Sequence, residues 1–155
     1  MKKLLILLFS ACMLTKCGTT ETTKEVAFDS KDVEQAEKQL FNYLEDGKVS
    51  EAFALHANTA LYKNIVDGQV RNYQEMEKYL ADNKAKGIKA YDYSVVRRDF
   101  FPINTESVLE TIDAERKLVN LKDSILEDKL VVLSILWQKK DSNWKVGYIH
   151  SSYKE

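Results

Sequence analysis

The sequence predicts an α+β domain in which three helices lie on one side of a curved antiparallel sheet. Apolar residues recur at helical spacing in three segments before residue 87, and from residue 88 to residue 153 they alternate with a period of two. Five glycines and one proline in 155 residues exclude a collagen-like or low-complexity chain. The 23 Lys and Arg residues nearly balance the 24 Asp and Glu residues, so no basic surplus indicates nucleic acid as a partner.

The predicted domain, residues 30–155, begins with the helices. The first starts at the N-cap candidate Ser30 and ends at Gly47, a natural C-terminal stop. A second, short helix starts at about Ser50 and is followed by a strand over residues 59–66 and a turn at Asp67-Gly68. Asn72 and Glu75 form a capping-box pattern, which predicts a third helix that ends at Gly87.

Four long strands are predicted after residue 87. The third is apolar on both faces, as expected of a central strand, and residues 141–143 form a hairpin turn before the fourth. Alternation in the fourth strand predicts that Trp144, Val146, Tyr148 and His150 share the face toward the helices. The strands are Ile88–Phe101, Ser107–Val119, Lys129–Lys139 and Trp144–Tyr153.

The first 17 residues have the order of a secretory signal peptide. Two lysines follow Met1, and the apolar run Leu4–Leu14 is shorter than the ~20 residues that a resident membrane helix needs. The alternative, a buried N-terminal helix, does not explain the sequence of charge, apolar run and polar spacer. Residues 18–29 are rich in Thr and charge without periodicity, which predicts a flexible spacer.

Both cysteines lie in the signal segment, which excludes a disulfide or a Cys-ligated metal site in the domain. A cysteine at the end of an apolar signal resembles a bacterial lipobox, in which the thiol is acylated. Cys17 follows a full-length apolar run, but Lys16 departs from the small residue of the pattern; Cys12 follows Ala11 but has a shorter run. We favour Cys17, with Cys12 as the alternative. The resemblance implies an exported cell-envelope protein held at the membrane only by a lipid anchor; plain secretion to the periplasm or medium is the alternative.

The order of elements resembles the SnoaL-like branch of the nuclear transport factor 2-like superfamily. The resemblance covers roughly residues 30–153 and is carried by the first helix, the segment Asp46–Phe53, the Asp67-Gly68 turn, the capped third helix and the closing strand Trp144–Ser152. It implies a cone-shaped, cystatin-like roll whose bent sheet encloses an apolar cavity. The superfamily includes isomerases, dehydratases, cyclases and epoxide hydrolases as well as non-catalytic binding or dimerising domains, so the fold alone does not decide the function.

Three residues are candidates for acid–base chemistry or ligand binding. His150 on the inward face could exchange a proton near neutral pH, although a strand-end histidine also serves packing. Glu110 lies between apolar positions, so it must be paired, protonated, functional, or on a strand whose register differs from the prediction. His56 ends the second helix and is a candidate ligand contact or a cap. Possible partners of Glu110 are Arg97, Arg98 and Arg116.

Several aromatic side chains could line a pocket or fill the core. They are Tyr62, Tyr91, Tyr93, Trp137 and Tyr148. The two histidines are not paired at metal-ligand spacing, and phosphate-loop and nucleophile-elbow motifs are missing, so neither a metal nor a cofactor is expected.

The leading hypothesis is an exported, lipid-anchored domain that binds a small apolar molecule or self-associates as a homodimer, without catalysis. The alternative is a small-molecule lyase or isomerase that uses His150 with Glu110 or Tyr148. In the dimer, the outward sheet positions would include Ser94, Val96, Arg98 and Ile149.

Overall fold

The computed structural model describes residues 28–66 and 68–154. The predicted signal peptide, both cysteines and most of the predicted spacer lie outside the described residues. No helix among the described residues is long and apolar enough to cross a bilayer. The helices are α1 (Ser30–Glu45), α2 (Val49–Ala54) and α3 (Tyr73–Ala85), and the strands are β1 (Lys63–Val66), β2 (Gln69–Arg71), β3 (Ile88–Asn104), β4 (Ser107–Asn120), β5 (Ile125–Lys140) and β6 (Asn143–Tyr153).

The strands form one curved six-stranded sheet in the order β2-β1-β6-β5-β4-β3. Strands β3 to β6 make the predicted antiparallel meander. Strand β1 lies parallel to β6, with Asn64 opposite Ile149 and Val66 opposite Ser151, and β2 folds back on β1. The predicted α+β class is confirmed. Strand β2 was not predicted, and β1 begins four residues later than predicted.

Local signals at the helix ends explain where α1 and α3 begin. The backbone N–H of Glu75 donates to Asn72 Oδ1 over 3.0 Å and that of Asn72 donates to Glu75 Oε2 over 2.8 Å, which confirms the predicted capping box. Asp29, rather than Ser30, caps α1, because its carboxylate accepts the N–H of Lys31 over 3.0 Å. Aspartate is a strong N-cap because its negative charge interacts favourably with the positive end of the helix dipole.

The end of α1 closes against strand β3. Gly47 has a φ of +70°, and a Cβ added there would lie 2.5 Å from the carbonyl oxygen of Lys89. A glycine is required for both reasons: the left-handed backbone disfavours a side chain, and the neighbouring backbone leaves no space for one.

The core lies between the helices and the inner face of the sheet. Val33 and Leu40 of α1 are buried against Ile112 of β4 and Ile135 and Trp137 of β5. Burial alternates along β4 and β5, so each second residue faces the helices. On β4 the inward positions are Val108, Glu110, Ile112, Ala114 and Arg116, a row that includes two ionisable residues.

Two bulges reverse the predicted alternation. In β6 the pairing steps from Val146 opposite Trp137 to Tyr148 opposite Leu136, which leaves Gly147 as the extra residue. Ile149 therefore faces the helices, and the predictions that Tyr148 and His150 face inward and Ile149 outward are wrong.

The second bulge lies in β3, where Val95 pairs with Ala114 and Arg97 with Asp113, so Val96 is extra. Beyond it, Arg98 points inward and its Nη2 lies 3.3 Å from Glu37 Oε1 on α1. The prediction of an outward Arg98 is wrong for the same reason: one inserted residue shifts all later side chains to the other face.

Candidate functional site

A cavity of about 70 Å³ lies between the three helices and the sheet. Apolar side chains supply most of its wall, among them Phe41, Phe53, Met76, Leu133 and Ile149. This volume is more than one water occupies and suits a small ligand or the end of a larger one. The polar residues on the wall are His56, Asn64, Tyr79, Tyr91, Tyr93, Arg116 and Ser151.

His56 reaches the cavity from the segment that follows α2. Its Nδ1 lies 3.2 Å from the carbonyl oxygen of Ala52, and its ring packs against those of Phe53 and Tyr62 at centroid distances of 5.2 and 5.5 Å. Burial lowers the pKa of His56 to about 4, so the ring is neutral at pH 7. The proton on Nδ1 is donated to Ala52, which leaves Nε2 as a hydrogen-bond acceptor.

Two tyrosines of β3 provide hydroxyl groups on the opposite wall. Tyr91 accepts a hydrogen bond from Asn83 Nδ2 over 2.8 Å, and burial raises its pKa to about 12. Tyr93 stacks on Phe41 with ring centroids 4.9 Å apart and planes 16° apart. Burial also raises the pKa of Tyr93. Both phenols therefore stay protonated near neutral pH and act as hydrogen-bond donors.

Arg116 is the cavity residue that sequence analysis considered only as a partner for Glu110. It is 6% exposed, its guanidinium contacts the Glu127 carboxylate, and its Nη2 donates to the Tyr153 hydroxyl over 2.9 Å. Its Nε has no hydrogen-bond partner among residues 28–66 and 68–154. The inward position of Arg116 could have been predicted from the sequence, because Arg116 continues the inward alternation of Ile112 and Ala114.

Three of the predicted aromatic site residues do not line the cavity. Tyr62 is fully buried behind His56 and meets the ring of Tyr73 edge-on. Trp137 is a core residue, and its Nε1–H donates to Glu110 Oε2 over 2.7 Å. Tyr148 lies on the other face of the sheet, because of the bulge at Gly147. Tyr91, Tyr93 and His56 are the members of the predicted set that the fold brings together.

Glu110 is buried as its apolar neighbours predicted, and it belongs to a paired cluster outside the cavity. Burial and the carboxyl group of Glu37 raise the pKa of Glu110 to about 8, against the opposing effect of the Trp137 hydrogen bond. Burial also raises the pKa of Glu37, although Arg98 opposes the shift. Because the negative charge of Glu37 disfavours ionisation of Glu110, this pair of buried carboxyl groups retains a proton at neutral pH.

The residues of the enzymatic alternative are not assembled. Glu110 pairs with Ile135 on the inner face of the sheet, whereas His150 pairs with Ser134 on the outer face. Tyr148 shares the outer face with His150, at a position removed from the cavity. In the described part of the chain, no group of three or more His, Cys, Asp or Glu residues has the arrangement of a metal site.

Known proteins resemble this chain in structure and not in sequence. No family model matches the sequence, and no curated protein matches it. A candidate dehydratase of the NTF2-like family from Streptomyces avermitilis superposes with a TM-score of 0.69 at 15% identity, over 82% of this chain and 96% of that one. An NTF2-like superfamily protein from Salmonella enterica gives a TM-score of 0.69 at 10% identity, over 81% and 91% of the two chains.

A third similar structure is an association domain. The association domain of CaMKII from C. elegans superposes with a TM-score of 0.62 at 12% identity, over 79% of this chain and 94% of that one. These similarities extend over nearly the whole described domain. The chain therefore has the NTF2-like fold.

Proposed function

We propose that this chain is an exported, lipid-anchored domain that binds a small, mainly apolar molecule in the cavity between its helices and its sheet. The observation that carries the proposal is the cavity wall, where aliphatic and aromatic side chains surround a few polar groups. Ligand sites in proteins commonly combine an apolar wall with a small number of orienting polar groups.

The protonation states at the cavity support binding rather than acid–base chemistry. A histidine with a pKa of about 4 is not a proton donor at pH 7, and its remaining lone pair suits a ligand hydroxyl or amide. Tyr91 and Tyr93 keep their protons in the same range. The polar groups of the cavity thus act as fixed donors and acceptors, which orient a ligand.

Adjacent serines of β6 allow a matched test of binding. Ser151 lines the cavity, whereas Ser152 is exposed on the other face of the strand. We expect Ser151→Leu to fill the cavity and weaken the binding of hexan-1-ol, measured by ligand-observed NMR titration, by about tenfold or more. Ser152→Leu adds the same side chain outside the cavity and should leave the affinity unchanged. Equal affinities in the two variants would contradict the proposal.

The export and anchoring part of the proposal rests on residues 1–17. Expression in a bacterium with labelled palmitate tests it, because an acylated chain carries the label into the membrane fraction. We expect Cys17→Ala to abolish labelling and Cys12→Ala to retain it. Label that follows neither cysteine would contradict the lipid anchor.

Self-association is a second candidate, favoured by the apolar side chains of the sheet's outer strand. Val96, Phe101 and Ile103 of the edge strand β3 are 68%, 52% and 58% exposed. Exposed apolar groups on an edge strand favour pairing with a second copy of the chain. Sedimentation velocity tests this directly: the native chain should dimerise and Val96→Lys should be monomeric. A native chain that stays monomeric at high concentration excludes the dimer.

A further inference from the structure

Arg116 is a buried cation with one carboxylate partner. Its carboxylate partner, Glu127, is shared with Lys129, whose Nζ lies 3.1 Å from Glu127 Oε2. Lys129 is exposed, so water screens its charge, and Glu127 compensates the buried charge of Arg116.

The hydrogen-bonding capacity of Arg116 is incomplete. Its Nε is buried and has no partner in the described part of the chain, although Arg116 lies on the cavity wall. A guanidinium presents its N–H groups in a planar fork that matches a carboxylate. The unpaired donor and the place of Arg116 on the cavity wall together indicate a ligand group with acceptors in this planar arrangement, as a carboxylate has.

Tyr93 adds a second donor beside Arg116. The two residues are directly opposite on β3 and β4, and both line the cavity. Burial raises the pKa of Tyr93, so the phenol keeps its proton near neutral pH and its O–H can donate to a ligand. The apolar wall begins at the Phe41 ring, which stacks on Tyr93.

We propose that the cavity takes a short-chain carboxylate, whose acid group binds Arg116 and Tyr93 and whose apolar part lies against the wall that includes Phe41 and Leu133. This inference rests on the proposed binding function and assigns its ligand class. A carboxylate is favoured over a hydroxyl group, because its two oxygens can accept from two N–H groups of the guanidinium in one plane.

Hexanoate and hexan-1-ol are matched probes, because they share the alkyl chain and differ in the charged group. Dissociation constants at pH 7 come from ligand-observed NMR titration of the folded chain. We expect hexanoate to bind about tenfold more tightly than hexan-1-ol, and Arg116→Met to abolish that preference.

Two further variants separate a direct contact from general electrostatics and from loss of folding. Lys129→Met removes the same charge from an exposed neighbour, so hexanoate should bind within about threefold of the native affinity. Tyr93→Phe keeps the stacking on Phe41 and removes one donor, so it should weaken hexanoate about threefold to tenfold. If Arg116→Met does not fold, the Tyr93→Phe result decides.

The outcomes distinguish the two proposals. If hexan-1-ol binds and hexanoate does not bind more tightly than it, the carboxylate assignment is overturned and cavity binding stands. The same conclusion follows if hexanoate binds more tightly but neither Arg116→Met nor Tyr93→Phe changes that preference. If neither probe binds, both proposals fail together.

Discussion

Replacement of Glu110 by glutamine should change how the stability of the domain depends on pH. Glutamine keeps an oxygen that accepts the Trp137 indole N–H, and its amide can donate to the Glu37 carboxylate. The side chain stays neutral at every pH. The variant therefore removes the titration of Glu110 while it preserves the shape and hydrogen bonds of the cluster.

The size of the effect follows from the pKa of Glu110. A rise from 4.5 in the unfolded chain to about 8 in the folded domain corresponds to about 5 kcal/mol. Because the folded state holds this proton more tightly, the stabilisation is complete below pH 4.5 and is lost as the pH rises through 8. Relative to the native chain, Glu110→Gln should gain roughly 3–4 kcal/mol between pH 5 and pH 8.

The measurement is urea unfolding followed by circular dichroism at several pH values. Glu115→Gln is the matched control, because Glu115 lies on the same strand but is exposed. Its free energy of unfolding should follow that of the native chain at each pH. A constant difference between Glu110→Gln and the native chain from pH 5 to pH 8 would refute the shared-proton interpretation.

Three other changes test separate features. Burial lowers the pKa of His56 from 6.5 to about 4, so the native chain should lose about 3 kcal/mol relative to His56→Gln as the pH falls through this range in urea unfolding. A difference between the two chains that does not change with pH would contradict a buried neutral ring. Gly47→Ala should destabilise the domain by about 2–5 kcal/mol, because the added Cβ meets the carbonyl oxygen of Lys89. Gly68 has a similar φ of +73° but open space around it, so Gly68→Ala should cost about 1 kcal/mol in the same assay. Equal losses in the two variants would exclude the close approach at Gly47. Ser142 has a φ of 66° in the hairpin between β5 and β6, a backbone conformation that favours glycine. Ser142→Gly should therefore stabilise the domain by about 1 kcal/mol and raise its Tm by a few degrees in calorimetry. A lower Tm would argue against this turn.

Elements with strong local signals could be predicted from the sequence. Helices α1 and α3 have periodic apolar faces, and α3 also has its capping box. The inward position of Glu110 follows from Val108 and Ile112, because β4 has no bulge near these residues. Where pattern and local geometry agree, each residue could be assigned to a face.

The residues that line the cavity could not be assigned from alternation alone, because bulges change the face of the sheet on which later side chains lie. A single inserted residue at Gly147 moved His150 away from the cavity and brought Ile149 and Ser151 into it. An isolated glycine within a strand often marks a bulge, so Gly147 could have indicated this change of face from the sequence. The bulge at Val96 had no such signal in the sequence, because valine is common in regular strands.

The parallel pairing of β1 with β6 joins the two ends of the domain. Strand β1 can pair with β2 early, but it joins the rest of the sheet only after the ribosome has released β6, the last strand of the described sheet. Early products therefore contain the helices without a sheet to cover them. A stop codon ahead of Asn143 would remove the strand that connects the β1–β2 pair to the meander, so such a fragment should be degraded rather than accumulate as a smaller stable domain.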